Sequence, residues 1–299
     1  MVKARLVKSL TTTTRCSNRE RPNKIEFCQR RCAKIYKELP FNIFGDIQEH
    51  QKNIKSGVSL NNHPVLTKIL NKKMQVLEVG CGVGWLSAQI ADRFQASVTS
   101  IDFNQVAIDT AQKAADSLGL NVKYEVADLF KFEPKEKFDI CISLGVLHHT
   151  NNCIAAIQRC VESYVKSGGY FYVGLYHIYG RRPFLKHFEK LTEGGASQDD
   201  LLKEYSRLSN VKTDDTHLYS WFRDQVLHPH ETQHTLREIT EVCTSSGAKL
   251  VSTSINQFKD FKSESELFDQ ELAYEAVSHQ RISEGKYFPG FFTALYRKN

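Results

Sequence analysis

The 299-residue sequence has no apolar run long enough to cross a membrane, and it shows no hydrophobic core of a signal peptide. Neither sign of charge dominates, because a formal net charge of +6 permits an acidic substrate or a nucleic acid without requiring either. The eight cysteines are scattered, mostly through apolar segments, as is typical of small buried side chains in a reducing compartment. Composition therefore predicts a globular cytoplasmic protein rather than a membrane-spanning or disulfide-stapled one.

The sequence also lacks a recognisable metal-binding motif. Cys28 and Cys32 could share a helix face, but no second pair of ligands accompanies them. A denser cluster, H-P-H-E-x-x-H, contains His228, His230 and Glu231. Its internal proline forbids a regular helix, which removes the helical geometry of an H-E-x-x-H zinc site. We therefore predict no metal. Substrate or catalytic contact is the preferred role of the cluster, and a structural role or a non-helical metal site are the alternatives.

Residues 75–102 carry the densest functional signals. An apolar run over 76–79 predicts a buried strand, and apolar residues at helical spacing follow a glycine-rich turn. The turn contains Gly80, Gly82 and Gly84, and a second predicted strand ends at Asp102. Glycine lets the backbone turn sharply and leaves no Cβ in the way of a ligand. A carboxylate at the end of the second strand can accept the hydrogen bonds of a ribose diol. The pattern therefore predicts a nucleotide-like ligand.

The glycine spacing separates two classes of ligand. A dinucleotide-binding loop has G-x-G-x-x-G, but Trp85 occupies its third glycine position here. The form E-x-G-x-G-x-G, from Glu78 to Gly84, instead resembles motif I of the class I S-adenosylmethionine-dependent methyltransferases. The resemblance covers residues 70–175, with weaker agreement to the C-terminus. It implies an α/β fold with a Rossmann-like, doubly wound, mostly parallel sheet whose last strand is antiparallel.

The resemblance also implies S-adenosylmethionine as the cofactor. Gly80 and Gly82 would pass beside its carboxypropyl side, Asp102 would hold the ribose, and Asp128 would meet the adenine. Each acid has an alternative as a helix cap or an exposed charge. The full set of cofactor residues that we expect is Glu78, Gly80, Gly82, Gly84, Asp102, Asp128, Leu129, Ser143 and Leu144.

The predicted elements divide the chain into three parts. Residues 1–20 form a flexible basic tail, residues 21–70 a helical extension that either covers the site as a lid or only packs, and residues 71–299 the methyltransferase domain. Strands and helices alternate in that domain until residues 177–230 interrupt them after the fifth strand. An insertion there emerges at the carboxyl ends of the strands, so we predict that it recognises the substrate.

The segment after the fourth predicted strand narrows the choice of substrate. Methyltransferases of base amines or glutamine amides carry Asn/Asp-Pro-Pro-aromatic there, whereas residues 143–149 read S-L-G-V-L-H-H and look like small-molecule methyltransferases. We predict methyl transfer to a small-molecule O, N or C nucleophile, with a base only if the acceptor must lose a proton. RNA methylation with the basic tail and a non-catalytic scaffold are the alternatives. The predicted catalytic residues are His149, His228, His230 and Glu231, and the predicted substrate contacts are Tyr176, His177, Arg181 and Trp221.

Overall fold

The computed structural model describes residues 39–44, 46–209 and 214–299. The predicted basic tail at 1–20 and the segment with Cys28 and Cys32 lie outside these residues. A short loop precedes three helices, α1 (Ile47–Ser56), α2 (Val58–Asn61) and α3 (Pro64–Ile69). Helix α1 begins because the Asp46 carboxylate accepts the backbone N–H of Gln48 at 2.9 Å. It ends at Gly57, whose left-handed backbone caps it.

One mixed sheet organises the described part of the chain. Its strands are β1 (Gln75–Val79), β2 (Ser97–Asp102), β3 (Val122–Val126), β4 (Phe138–Leu144), β5 (Val165–Tyr176), β6 (Ala248–Thr253) and β7 (Phe291–Lys298). They lie in the order β3-β2-β1-β4-β5-β7-β6. Strands β1 to β5 pair in parallel, and β7 runs antiparallel between β5 and β6. The predicted doubly wound, mostly parallel sheet with an antiparallel last strand is confirmed.

Helices cover both faces of this sheet. The helices that follow β1 in the chain are α4 (Trp85–Phe94), α5 (Gln105–Ser117), α6 (Cys153–Arg159), α7 (Ile178–Glu193), α8 (Gln198–Ser209), α9 (Asp215–Gln225), α10 (Leu236–Ser245), α11 (Glu264–Glu271) and α12 (Tyr274–Ser283). Neighbouring strand residues enter opposite cores: Val76 packs on one face and Leu77 on the other. Double-sided burial explains why the central strands read as continuous apolar runs. No described helix is long and apolar enough to span a membrane.

The insertion forms a compact layer of its own. Helices α7, α8 and α9 enclose a separate apolar cluster that contains Phe184, Phe188, Tyr205 and Phe222. Pro183 lies inside helix α7, five residues after its first residue, where a proline cannot donate the intrahelical hydrogen bond to the residue four positions earlier. Because α7 starts directly after the carboxyl end of β5, the insertion lies at the end of the sheet where the parallel strands finish.

The sequence also predicts a turn at Gly168-Gly169 and a capping box formed by Thr235 and Glu238, and the structure modifies both. Gly168 has a left-handed backbone, as a turn requires, and the register against β4 shifts there, but both glycines lie within β5, which begins at Val165. The predicted capping box at Thr235 is only half formed. The Thr235 hydroxyl accepts the backbone N–H of Glu238 at 3.0 Å, whereas the Glu238 carboxylate binds His234 Nδ1 at 2.9 Å instead of the cap backbone.

Candidate active site

A cavity of about 940 Å³ lies at the carboxyl ends of β1, β2 and β4. It collects residues from distant parts of the sequence, as expected where the strand order reverses in an open α/β sheet. The predicted site residues that line it are Glu78, Gly80, Gly82, Asp102, Asp128, Leu129, Leu144 and His149. Lining residues that the sequence did not single out include Phe41, Asn42, His63 and Asp224.

The three loop glycines have left-handed backbones, but they do different things. A Cβ on Gly80 would lie 2.5 Å from the Val146 side chain, and one on Gly84 would lie 2.6 Å from the Tyr124 hydroxyl. A Cβ on Gly82 would meet nothing within 4 Å. Gly80 and Gly84 therefore allow the loop to pack closely, while Gly82 leaves open space on the cavity wall.

Asp102 fastens the glycine loop and faces the cavity at the end of β2. Its carboxylate accepts the backbone N–H of Gly82 at 2.9 Å and that of Asn104 at 2.9 Å. Burial raises the pKa of Asp102, and the hydrogen bonds from Asn104 and Gly82 partly oppose that rise. The side chain therefore has a structural role in addition to any ligand contact.

Glu78 is the most unusual acid of the cavity wall. Only 6% of the residue is exposed, and Oε2 has no hydrogen-bond partner among the described residues. Burial raises its pKa from 4.5 to about 7, although hydrogen bonding with Ser87 opposes the rise. A buried, under-satisfied carboxyl on a cavity wall is a candidate partner for a positively charged ligand group.

Some of the remaining predicted cofactor residues line the cavity, and the others support the residues that line it. The Asp128 carboxylate accepts the backbone N–H of Phe130 at 2.9 Å, so it caps a turn while it lines the cavity beside Leu129. The Ser143 hydroxyl is buried and donates to the Val79 carbonyl at 3.0 Å. Neither Ser143 nor Gly84 lines the cavity, so both fit a supporting role better than the predicted direct contact.

The loop at residues 39–44 closes one side of the cavity. Its Pro40, Phe41 and Asn42 contribute to the lining. The Asn42 amide oxygen accepts from Trp221 Nε1 at 2.7 Å and pairs with His217 Nε2 at 2.8 Å, so the loop is tied to α9. Trp221 itself does not line the cavity; it holds the loop that does. These contacts favour the lid interpretation of the segment before β1.

The wall beside β4 carries His149 and Asp224. His149 Nδ1 donates to the His230 carbonyl at 3.0 Å, which leaves the lone pair on Nε2. That Nε2 lies 3.1 Å from His148 Nε2 and 3.7 Å from an Asp224 oxygen. The other Asp224 oxygen accepts from Gln225 Nε2 at 2.7 Å. The predicted His149 thus has an acidic neighbour that sequence reasoning missed. Its place in the polar stretch before the histidine cluster was the only signal.

Several predicted substrate or catalytic residues lie behind this wall. Arg181 is fully buried, donates to the Glu231 carboxylate at 3.0 and 2.8 Å, and donates to the Gln225 carbonyl at 2.7 Å. Its guanidinium stacks 4.1 Å from the Tyr176 ring centroid. These contacts favour structural roles for Arg181, Glu231 and Tyr176 over direct contact with a substrate.

The three remaining predicted residues, His177, His228 and His230, are also held by the protein. His177 is buried, and its Nε2 lies 2.8 Å from the Glu271 carboxylate. His228 is buried as well, and its Nδ1 accepts the backbone N–H of His230 at 3.2 Å. His230 Nε2 pairs with the Thr150 carbonyl at 3.1 Å. None of the three residues lines the cavity, so none is placed to touch a ligand there as the structure stands.

The strand order, the glycine loop and the acid at the end of β2 together define a class I S-adenosylmethionine-dependent methyltransferase. A family model described as a methyltransferase domain matches residues 70–225, just over half of the chain, so the chain belongs to this methyltransferase family. The predicted enzyme class and the predicted cofactor, S-adenosylmethionine, are therefore confirmed.

The chain spans about half or less of the length of the curated relatives that it matches. A ubiquinone biosynthesis O-methyltransferase from Shewanella pealeana is 35% identical over 100 residues, which are 33% of this chain and 42% of that protein. A malonyl-(acyl-carrier protein) O-methyltransferase 2 from Ilyobacter polytropus is 28% identical over 53% of this chain and 55% of its own. The solved structure of PKMT2 from Rickettsia typhi shares the fold, with a TM-score of 0.56, 15% identity, and coverage of 77% of this chain and 49% of that one.

Proposed function

We propose that the protein transfers a methyl group from S-adenosylmethionine to a small-molecule acceptor, preferably to an oxygen nucleophile. The observation that carries this proposal is the single cavity that joins the glycine loop to the wall with His149 and Asp224. At one end of the cavity, the backbone of the glycine loop and nearby carboxylates are suited to binding the cofactor. At the other end, His149 Nε2 carries a lone pair that can act as a base. The two relatives described above are named O-methyltransferases, which supports oxygen as the methylated atom.

Two features of the cavity support the fit of the cofactor. Gly82 presents open space where a Cβ would otherwise stand, and the Glu78 oxygen without a partner suits a cationic amino group. Asp102 would bind the ribose hydroxyls while it holds the loop, and Asp128 with Leu129 would contact the base. When bound, the cofactor supplies a methyl group that is already activated on a sulfonium.

The protein's own contribution is positioning and proton transfer. Phe41 and Asn42 close the cavity on the lid side and would exclude water from the reacting atoms. His149 Nδ1 is already committed to the His230 carbonyl, so Nε2 would accept the proton of an acceptor hydroxyl in exchange for its present contact with His148 Nε2. Asp224, at 3.7 Å, would stabilise the resulting imidazolium.

Calorimetric titration with S-adenosylmethionine and S-adenosylhomocysteine, with NAD as the control ligand, tests the cofactor part. We expect binding of both sulfur cofactors and none of NAD. Asp102→Ala should abolish that binding, whereas Asp109→Ala, on the exposed face of α5, should leave it unchanged. Undiminished binding by Asp102→Ala would refute the assignment of the ribose site.

Transfer of a labelled methyl group tests the acceptor part. Pools of small phenols and carboxylic acids should accept label, and bulk tRNA and rRNA should not. Labelled RNA without labelled small molecules would favour the alternative function, RNA methylation. RNA methylation would depend on the basic tail, which lies outside the described residues. The cytoplasmic location remains a prediction, which cell fractionation would test.

A further inference from the structure

We infer that the cavity wall contains a binding site for a divalent transition-metal ion, formed by His149, Asp224 and His228. Their three ligand atoms lie within 4.8 Å of one another. Two imidazoles and one carboxylate are a donor set that favours Zn²⁺ and its first-row neighbours over Mg²⁺ or Ca²⁺.

The distances suit an ion after a small adjustment. Two ligands of a tetrahedral zinc ion stand roughly 3.4 Å apart, because each metal–ligand bond is about 2.0–2.2 Å long. His149 Nε2 and the Asp224 oxygen are separated by 3.7 Å. The His149 and His228 ring centroids lie 3.9 Å apart, and the two ring planes are tilted by 39°. The three ligand atoms lie within 4.8 Å of one another, so the widest pair would have to close by at most about 1.4 Å to reach the separation in a tetrahedral site.

The neighbours of these donors orient them in the way that metal ligands are oriented. His149 donates its Nδ1 proton to the His230 carbonyl at 3.0 Å, which directs the Nε2 lone pair to the Asp224 side. The outer oxygen of Asp224 accepts from Gln225 at 2.7 Å and from the Tyr176 hydroxyl at 3.3 Å. Hydrogen bonds therefore orient both ligand side chains before the ion binds, which lowers the free-energy cost of ordering them around it.

Existing hydrogen bonds of the two histidine ligands compete with the ion. His148 Nε2 lies 3.1 Å from His149 Nε2, and the His230 backbone N–H donates to His228 Nδ1 at 3.2 Å. Binding would replace the first contact, and His228 would exchange the second for a metal bond or turn its ring over. These exchanges weaken the site but do not close it. The affinity should consequently be lower than that of a preformed structural zinc site.

The position of the site also suggests its use. The ligands come from the turn after β4, from the end of α9 and from the loop that follows, so the proline in H-P-H-E-x-x-H does not oppose this geometry. His149 and Asp224 line the cavity, so a vacant coordination position would face the acceptor. With an ion bound, His149 Nε2 would be a ligand and no longer a base, and the cation would replace it by favouring loss of the acceptor's proton. This use rests on the proposed function, whereas metal binding itself does not.

Metal titration of chelator-treated protein tests the inference without turnover. We expect one equivalent of Zn²⁺ by calorimetry, visible absorption bands of a tetrahedral or five-coordinate ion with Co²⁺, and no comparable binding of Mg²⁺. Asp224→Asn and His228→Gln, which nearly conserve volume, should each weaken Zn²⁺ binding at least ~100-fold, since loss of outer-shell partners alone costs ~10–100-fold. Two control variants, His279→Gln on exposed α12 and His187→Gln at the His187–Glu204 surface pair, should bind like the wild type.

The outcomes separate this inference from the proposed function. Equal Zn²⁺ binding by the wild type, Asp224→Asn and His228→Gln would place the ion elsewhere and overturn the site. Absence of stoichiometric binding to wild type that still binds S-adenosylmethionine would overturn the metal site and leave the methyltransferase proposal intact. Circular dichroism of each variant checks folding. If one variant does not fold, the Co²⁺ absorption spectrum of the other variant tests the site, because loss of the visible bands would support the proposed ligands and unchanged bands would overturn them.

Discussion

The buried ion pair between Arg181 and Glu231 offers the sharpest test of how the insertion is built. Arg181 has no exposed surface, the Glu231 side chain is 5% exposed, and the closest contact between them is 2.8 Å. Replacing Arg181 by Met keeps an unbranched apolar stem but leaves a buried carboxylate without its cation. Glu231→Gln makes the opposite deletion, and the double variant removes both charges.

The expected magnitude follows from this burial. Removing one partner of a buried pair costs ~3–5 kcal/mol, because the remaining charge stays out of water without compensation. Arg181→Met also loses the hydrogen bond to the Gln225 carbonyl and the stacking on Tyr176. For a protein of this size the loss corresponds to a fall in Tm of roughly 10 °C. The double variant should recover at least half of the stability, since no isolated charge remains.

Thermal unfolding followed by calorimetry and circular dichroism would measure the cycle. S-adenosylmethionine affinity, measured well below the transition, should stay within about two-fold of wild type in Arg181→Met, because Arg181 does not line the cavity. The opposite pattern, an unchanged Tm with a large rise in the KM of the acceptor, would refute the buried-pair argument. It would restore Arg181 as the substrate contact that the sequence suggested.

Three further predictions concern the glycine loop, the buried acid Glu78 and the loop at residues 39–44. Gly84→Ala should be less stable than Gly119→Ala by ~1–3 kcal/mol in denaturant titration, because both residues have positive φ but only the Gly84 methyl would collide with neighbours. The Glu78 carboxyl binds its proton more tightly in the folded state than in the unfolded state. The free energy of unfolding should therefore fall by about 3 kcal/mol as the pH rises from 4.5 to about 7. The variant Glu78→Gln should make the free energy of unfolding less dependent on pH over this range. Asn42→Gly keeps the left-handed backbone but removes the acceptor of Trp221, so calorimetry should find weaker cofactor binding with a stability loss of only ~1–2 kcal/mol.

Most of the residues predicted for the cofactor end line one cavity, because the sequence signals for that end are local. The run from Glu78 to Gly84 contains the strand, the turn and the start of the helix, so spacing alone indicates which atoms face the ligand. Asp102 follows from the same βα unit, since the end of β2 must lie beside the end of β1 in a parallel pair. Short-range chain geometry therefore determines most of this half of the cavity.

The acceptor end could not be predicted in the same way. His149 and Asp224 approach to 3.7 Å across 75 positions of sequence, and no periodicity links them. The sequence made Arg181 a candidate substrate contact, because its ion-pair partner Glu231 is 50 positions away and no local pattern links the two residues. A charge pattern records which groups are ionisable, but burial and pairing depend on how the insertion folds back on the sheet.

Helix α9 connects these separate features mechanically. Trp221 holds the Asn42 loop, Asp224 lines the cavity, and Gln225 binds both the outer oxygen of Asp224 and the guanidinium of Arg181. Between them, Phe222 is fully buried in the apolar cluster of the insertion. A rotation of α9 would therefore move the lid contact and the acidic wall together. This coupling explains how an insertion with few residues in the cavity can still determine the shape of the acceptor end.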